Sequence, residues 1–468
     1  MSRSTNNSAT KNATDNTRKK SIHELGILLK LTLPILITQL AQQGMALVDT
    51  IMAGRYSPED LAGIATGAGI WVPLWLLVMG ICMATTPSVA QLNGANKRSE
   101  IAPLVQQMLW ISIPLGIVSG LVLYFLNQPI MSLLGITPDI AVPAGQYMQA
   151  VAFGLPITIA AQPLRFLSEG MGVIRPIMQA SLLAFFLNIL LDYLFVFGFG
   201  PFEGMGGPGC GWATSILMVF SAALWLRNIY KHHNLAPLKF SVKLPAPDFK
   251  QIKQQFLVGF PIGGAIFFEV SIFSLVTLLL GRLGAITVAA NQIAFSATGT
   301  FFMIPLSLSM ALTIRIGHLL GQKNYQTAYK LGWHGIMTTA AWMLASIVLI
   351  VTFAEDIALL YSDDIQVVAL ATTLMLYAAM FQISDGIQVA SAGVLRAYKD
   401  TSFTMKATLM AYWAIGLPIG YYLAFYQNLE AIGFWYGLIA GLTVAAVLLV
   451  WRVRKVSNQT LQQATENQ

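Results

Sequence analysis

Twelve apolar runs recur along the chain, and they confine it to an all-α polytopic membrane protein. They fall at about 25–54, 61–86, 101–127, 141–165, 176–199, 209–230, 254–281, 286–314, 328–354, 365–391, 402–426 and 429–452. About 20 apolar residues at 1.5 Å each cross the ~30 Å hydrocarbon core, and a helix satisfies every backbone N–H and C=O within the segment. Composition agrees, since only 10% of the 468 residues are charged, against about 25% in a soluble domain. The first run is too long for a signal peptide and lacks a small-residue cleavage site.

Charge placement orients the spans. With an even number of spans both tails lie on one side, and alternate loops then leave only Arg55 and Arg282 of the 27 Lys and Arg on the other. The positive-inside rule puts both tails in the cytoplasm. The fifth outward loop instead carries Glu355, Asp356, Asp363 and Asp364. The net charge of +7 is therefore topological and requires no nucleic-acid partner. Residues 1–24, rich in Ser, Thr and Asn, read as a disordered cytoplasmic tail, and 453–468 as a second tail.

A basic, proline-bearing loop at 231–253 divides the chain into lobes at 25–230 and 254–452. The halves resemble each other at a shift of 227 residues: Leu33-Pro34-Ile35 falls on Phe260-Pro261-Ile262, and Gln91-Leu92-Asn93-Gly94 on His318-Leu319-Leu320-Gly321. Six spans per half give repeats of the same orientation, related by a pseudo-two-fold axis along the membrane normal. Two six-helix lobes facing a central cavity are the expected architecture.

Carboxylates inside the spans carry the functional signal. Glu269 lies near the middle of the seventh run, Asp385 in the tenth, Asp49 late in the first and Asp192 in the fifth. An acid at mid-depth costs about 2.5 kcal/mol or more unless it is protonated, paired or facing a cavity, so such residues mark ion and substrate pathways. Asn188 and Asp192 are four apart, share a helical face and offer two oxygens to one cation. Hard oxygen donors suit a proton or a small hard ion such as Na⁺, not a transition metal. The repeat does not copy these acids: Gln42 stands where the second half has Glu269, and Val276 where the first has Asp49. Glu169, beside Arg165 and Arg175, reads as a structural ion pair in an inward loop.

Other chemistries find no support. Cys82 and Cys210 form no ligand framework, and the histidines have no zinc spacing. Gly204, Gly206 and Gly209 mimic a GxGxxG fingerprint, but in an outward loop with no strand expected before it. No GxxxxGK[ST] sequence exists for ATP hydrolysis. The reading is of a protein that is not an enzyme and is driven, if at all, by an ion gradient or a partner. Pro34, Pro261, Pro305 and Pro418 supply places for helices to bend.

The segments LPILITQLAQQGMALVDTIMAG at 33–54, NILLD at 188–192, GFPIGGAIFFE at 259–269, AANQIA at 289–294 and SDGIQVASAGVLRAYKDT at 384–401 resemble the multidrug and toxic compound extrusion family, in its bacterial NorM-like branch. The resemblance covers about residues 25–452. It implies a V-shaped pair of six-helix bundles in the bacterial inner membrane, acting as a monomer among membrane lipids. Its activity would be export of organic, often cationic and aromatic, compounds in exchange for inward Na⁺ or H⁺, with no cofactor beyond that ion. Carried over, Glu269 and Asp385 match the cation-site acids of the C-terminal lobe, and Asp49, Asn188 and Asp192 the site of the N-terminal lobe. Ala397 stands where the family often has glycine. A lipid-linked-precursor flippase of the same wider superfamily is the alternative. It predicts a strongly cationic cavity, whereas the embedded charges read here as acidic.

Overall fold

The computed structural model describes residues 4–133, 135–241 and 243–466. Twelve helices among them are long and apolar enough to cross a membrane. In chain order these are α1 His23–Tyr56, α2 Pro58–Gly94, α3 Arg98–Leu133, α4 Pro138–Gly170, α5 Arg175–Phe197, α6 Pro208–Lys231, α7 Phe249–Leu283, α8 Ala285–Gly321, α9 Tyr325–Leu359, α10 Ile365–Ala397, α11 Thr401–Phe425 and α12 Glu430–Glu466. Each expected run lies within or closely overlaps one of them. The helix of α1 begins at Ser4, and α12 continues to Glu466, so both helices run on into segments read as tails. Once a helix is nucleated, each further residue adds a hydrogen bond at little cost, and polar helix formers extend it beyond the apolar part.

Polar residues at the connections start the helices. Ser57 Oγ accepts from the Asp60 N–H at 3.0 Å with Pro58 behind it, Asp248 caps α7 and Asp364 caps α10. Each satisfies donors that a helix start leaves free. The connection between α6 and α7 is tied under α3: the Gln106 amide donates to the Ser241 carbonyl at 2.7 Å and the Trp110 indole to that of Pro245 at 3.1 Å. A two-residue hairpin, Gly198–Phe199 with Phe202–Glu203, separates α5 from α6. It corrects the expectation that no strand precedes Gly204. The pairing is antiparallel and isolated, and the Gly207 N–H donates to Asp60 at 2.8 Å. No dinucleotide-binding unit results, because that needs a parallel βαβ crossover.

Apolar clusters fill each lobe, and another joins them, with Leu28, Ile81, Met83 and Phe166 on one side and Ile262, Leu308, Ile314 and Leu395 on the other. Small residues allow the closest approach. A Cβ on Gly80 of α2 would lie 2.4 Å from the Gly263 Cα of α7. One on Gly94 would lie 2.1 Å from the His318 carbonyl oxygen, and one on Gly321 2.0 Å from that of Gln91. Gly94 and Gly321 are repeat equivalents, as are Gln91 and His318. The reciprocal contact is what a two-fold axis generates. These contacts lie in the half of the molecule that carries both tails.

A bidentate ion pair reinforces the seam, with Arg315 Nε and Nη2 each 2.7 Å from a Glu24 carboxylate oxygen. Its side chains are 15% and 13% exposed, sheltered enough for the pair to contribute. Replacing Glu24 or Arg315 by Gln is expected to cost about 1–3 kcal/mol each, and the double variant less than the sum. Chemical denaturation of the purified protein in detergent measures the cycle. Strict additivity would show that the pair is not coupled.

Candidate functional site

In the N-terminal lobe the side chains come from α1, α5 and α6. Asn188 and Asp192, one turn apart on α5, face Asp49 on α1, and the Asn188 amide donates to Asp49 Oδ1 at 3.0 Å. Ligand atoms of Asp49, Asp192 and Cys210 lie within 4.8 Å of one another. Asp192 is fully buried beside Asp49, Asn188 and Cys210, yet neither of its carboxylate oxygens has a hydrogen bond of good geometry among the described residues. Asp49 stays partly accessible and also bonds Thr214. The Tyr147 hydroxyl, held by the Trp71 indole at 3.3 Å, stands close enough to feel both acids.

Two carboxylates this close in a dry interior repel unless a cation or a shared proton sits between them. The orphaned oxygens of Asp192 and the Asn188 side-chain oxygen, also without a partner, are the donors a Na⁺ ion or a proton would take. The buried thiol of Cys210 is the soft member of an otherwise hard set.

In the C-terminal lobe Glu269 of α7 receives a hydrogen bond from Gln388 of α10, and Asp385, one turn before Gln388, is close enough to feel its charge. Asp385 is buried, whereas Glu269, expected to be remote from water, is only half-buried. Pro261 lies inside the same helix, two turns before Glu269. Gln382, a turn before Asp385, has both amide atoms unpartnered. Tyr412, its hydroxyl also unpartnered, interacts with both acids from a π-helical turn at Met410–Gly416 of α11. Such turns re-aim side chains and recur at functional sites. The Trp413 indole fastens that turn to the Phe268 carbonyl at 3.2 Å.

The five predicted residues thus form two clusters, Asp49, Asn188 and Asp192 in one lobe and Glu269 with Asp385 in the other. At the position equivalent to Asp49, Val276 is buried in the apolar core. Glu169 does pair with Arg165, at 2.9 Å, but inside the last turns of α4 with both side chains buried, rather than in a loop. The embedded charges are also not all acidic. Arg396 is buried at the end of α10, donates to Ser309 Oγ at 2.8 Å, reaches Met83 of the other lobe at 3.2 Å and interacts with Glu269 and Glu169. Arg396 sits at the seam end of α10, an embedded base where only acids were expected. Cys210, Thr214, Tyr147 and Tyr412 carried no sequence signal, because hydroxyls and thiols on apolar spans look alike wherever they point.

Twin repeats, twelve spans and ionisable groups inside both lobes are features that many membrane transporters share. The MatE family pattern matches residues 34–194 and 261–422. The chain is 41% identical to multidrug resistance protein PmpM of Pseudomonas aeruginosa, over 94% of this chain and 93% of that one. It is 39% identical to the probable multidrug resistance protein NorM of Acinetobacter baylyi, over 94% and 98%. Its fold is similar to that of the eukaryotic MATE transporter AtDTX14, with a TM-score of 0.86 at 20% identity, covering 95% of this chain and 99% of that one. The chain belongs to the MatE family.

Proposed function

We propose that the protein is a multidrug efflux transporter of the bacterial inner membrane, with both tails cytoplasmic, that exchanges organic cations for inward Na⁺ or H⁺ by alternating access. The observation that carries this reading is the Asp49–Asp192 pair, in which neither oxygen of the buried Asp192 has a well-formed hydrogen bond, at a cost that a visiting cation relieves. The relatives named as multidrug resistance proteins support the substrate class. The seam supports the conformational cycle: the lobes meet at the tail end, as a state closed on the side that the positive-inside rule makes cytoplasmic would.

An entering ion neutralises one carboxylate cluster and changes which lobe arrangement is favoured, while an organic cation competes for the same field. Coupling requires the two to prefer different arrangements, since a ligand indifferent to conformation shifts nothing.

Efflux of ethidium from proteoliposomes under separately imposed Na⁺ and H⁺ gradients tests the reading and names the ion. Efflux driven by one gradient is expected, with Glu269→Gln and Asp385→Asn each lowering its rate about tenfold or more. Efflux indifferent to both gradients would remove the exchange mechanism.

A further inference from the structure

A cavity of mixed lining, away from both carboxylate clusters, lies at the tail end of the seam. It measures about 440 Å³ and is lined from both lobes, by Gln91, Leu92 and Leu104 on one side and Leu320, Tyr398 and Lys399 on the other. Thr460, in the part of α12 that continues beyond the apolar run, helps to close it. The volume is that of a small-molecule site.

Its charge is one-sided. Lys399 is the only ionisable side chain besides the phenols in the lining, and no carboxylate is present. The acids nearby in sequence are committed elsewhere, Asp400 to Arg452 at 2.5 Å and Glu100 to Lys97 at 3.1 Å. Lys399 has no ion-pair or hydrogen-bond partner among the described residues, and burial pushes its ammonium down from its ordinary range. The backbone supplies the placement: Lys399 has φ +59°, a left-handed turn between α10 and α11. A lysine tolerates that conformation poorly compared with glycine. Tyr398 lines the same space.

A cationic donor and a phenol in a lining that also holds leucines match an oxyanion, alone or carried on an apolar body. We propose that this cavity binds a phosphate or phosphodiester group on Lys399 and Tyr398, and that its occupancy holds the two lobes together at the tail end. Because both lobes build the walls, the group binds only when the seam is closed and so favours that state by its full binding free energy. The two sources of such a group are soluble phosphate compounds and the headgroup of an anionic lipid.

The test uses the full chain in nanodiscs, with spin labels at Arg55→Cys and Arg282→Cys, at the ends of the lobes opposite the tails. Three conditions are compared in phosphate-free buffer: the phosphate-free lipid digalactosyldiacylglycerol alone, the same lipid with added inorganic phosphate, and the same lipid with phosphatidylglycerol. The long inter-label distance, which marks the closed seam, is expected to gain about tenfold over the short one in the second condition for a soluble oxyanion, or in the third for a lipid headgroup. K399Q abolishes that gain and K399R retains most of it, as loss of a charge-assisted hydrogen bond predicts. Tyr398→Phe lowers it in part and serves if K399Q does not fold. No gain in either condition, or the same gain in K399Q, overturns the proposal. Distances are read without transport, so failure of the efflux reading would leave this result intact.

Discussion

Asp192→Asn is expected to abolish gradient-driven efflux while leaving the protein folded. The substitution keeps size and shape and removes one charge from a pair whose oxygens lie within 4.8 Å of their neighbours. At an effective dielectric of about 20, a unit cation about 5 Å from a carboxylate gains roughly 3 kcal/mol, so affinity for the coupling ion falls on the order of a hundredfold. Stability is expected to hold or rise, because an uncompensated buried charge is removed. Efflux in proteoliposomes, with calorimetric titration of Na⁺ in parallel, measures both. Unchanged efflux would assign Asp192 to packing and leave the C-terminal acids to carry coupling alone. Asn188→Ala is a weaker version of the test, since it removes a neutral donor to Asp49 at 3.0 Å.

Gly94→Val is expected to open the seam and to stop transport from a site remote from both carboxylate clusters. Its Cβ would lie 2.1 Å from the His318 carbonyl oxygen, which is backbone and cannot swing aside. Overpacking a fitted interface costs about 1–3 kcal/mol. That is enough to invert a two-state balance of similar size. The reciprocal position makes the prediction specific: Gly321→Val, whose Cβ would meet the Gln91 carbonyl oxygen at 2.0 Å, is expected to act like Gly94→Val. Gly69→Val, where nothing lies within 4 Å, is the neutral comparison. Inter-lobe distances and efflux rates read the result. Wild-type behaviour in both seam variants would mean that the lobes do not close through these glycines.

Much of this arrangement is legible in the chain, and for identifiable reasons. Twelve spans follow from apolar length, and the shift that places Gly94 on Gly321 anticipates the reciprocal contact at the seam. The acids could be singled out because a carboxylate within an apolar run is costly wherever its helix is placed. Asn188 and Asp192 needed only the helical repeat to be put on one face. Cys210 and Tyr412 stayed hidden, since a thiol or a phenol on an apolar span costs little and signals nothing until its neighbours are known. Arg396 overturns the expectation that the embedded charges are acidic. Its helix end lies inside the seam, where Ser309 and Met83 enclose it.

Local chemistry alone set the class of this protein, because hydrocarbon leaves a backbone no choice but to satisfy its own hydrogen bonds. It also set which residues are too polar to sit idle there. Which acids meet across helices, which end of the molecule is shut, and where an unpaired lysine finds a cavity were decided by contacts between residues far apart in the chain. Asp49 meets Asn188, Gly94 meets His318 and Gln91 shares a cavity with Lys399 only after the helices are docked. No periodicity within a single span encodes the rotation and depth at which its neighbour packs.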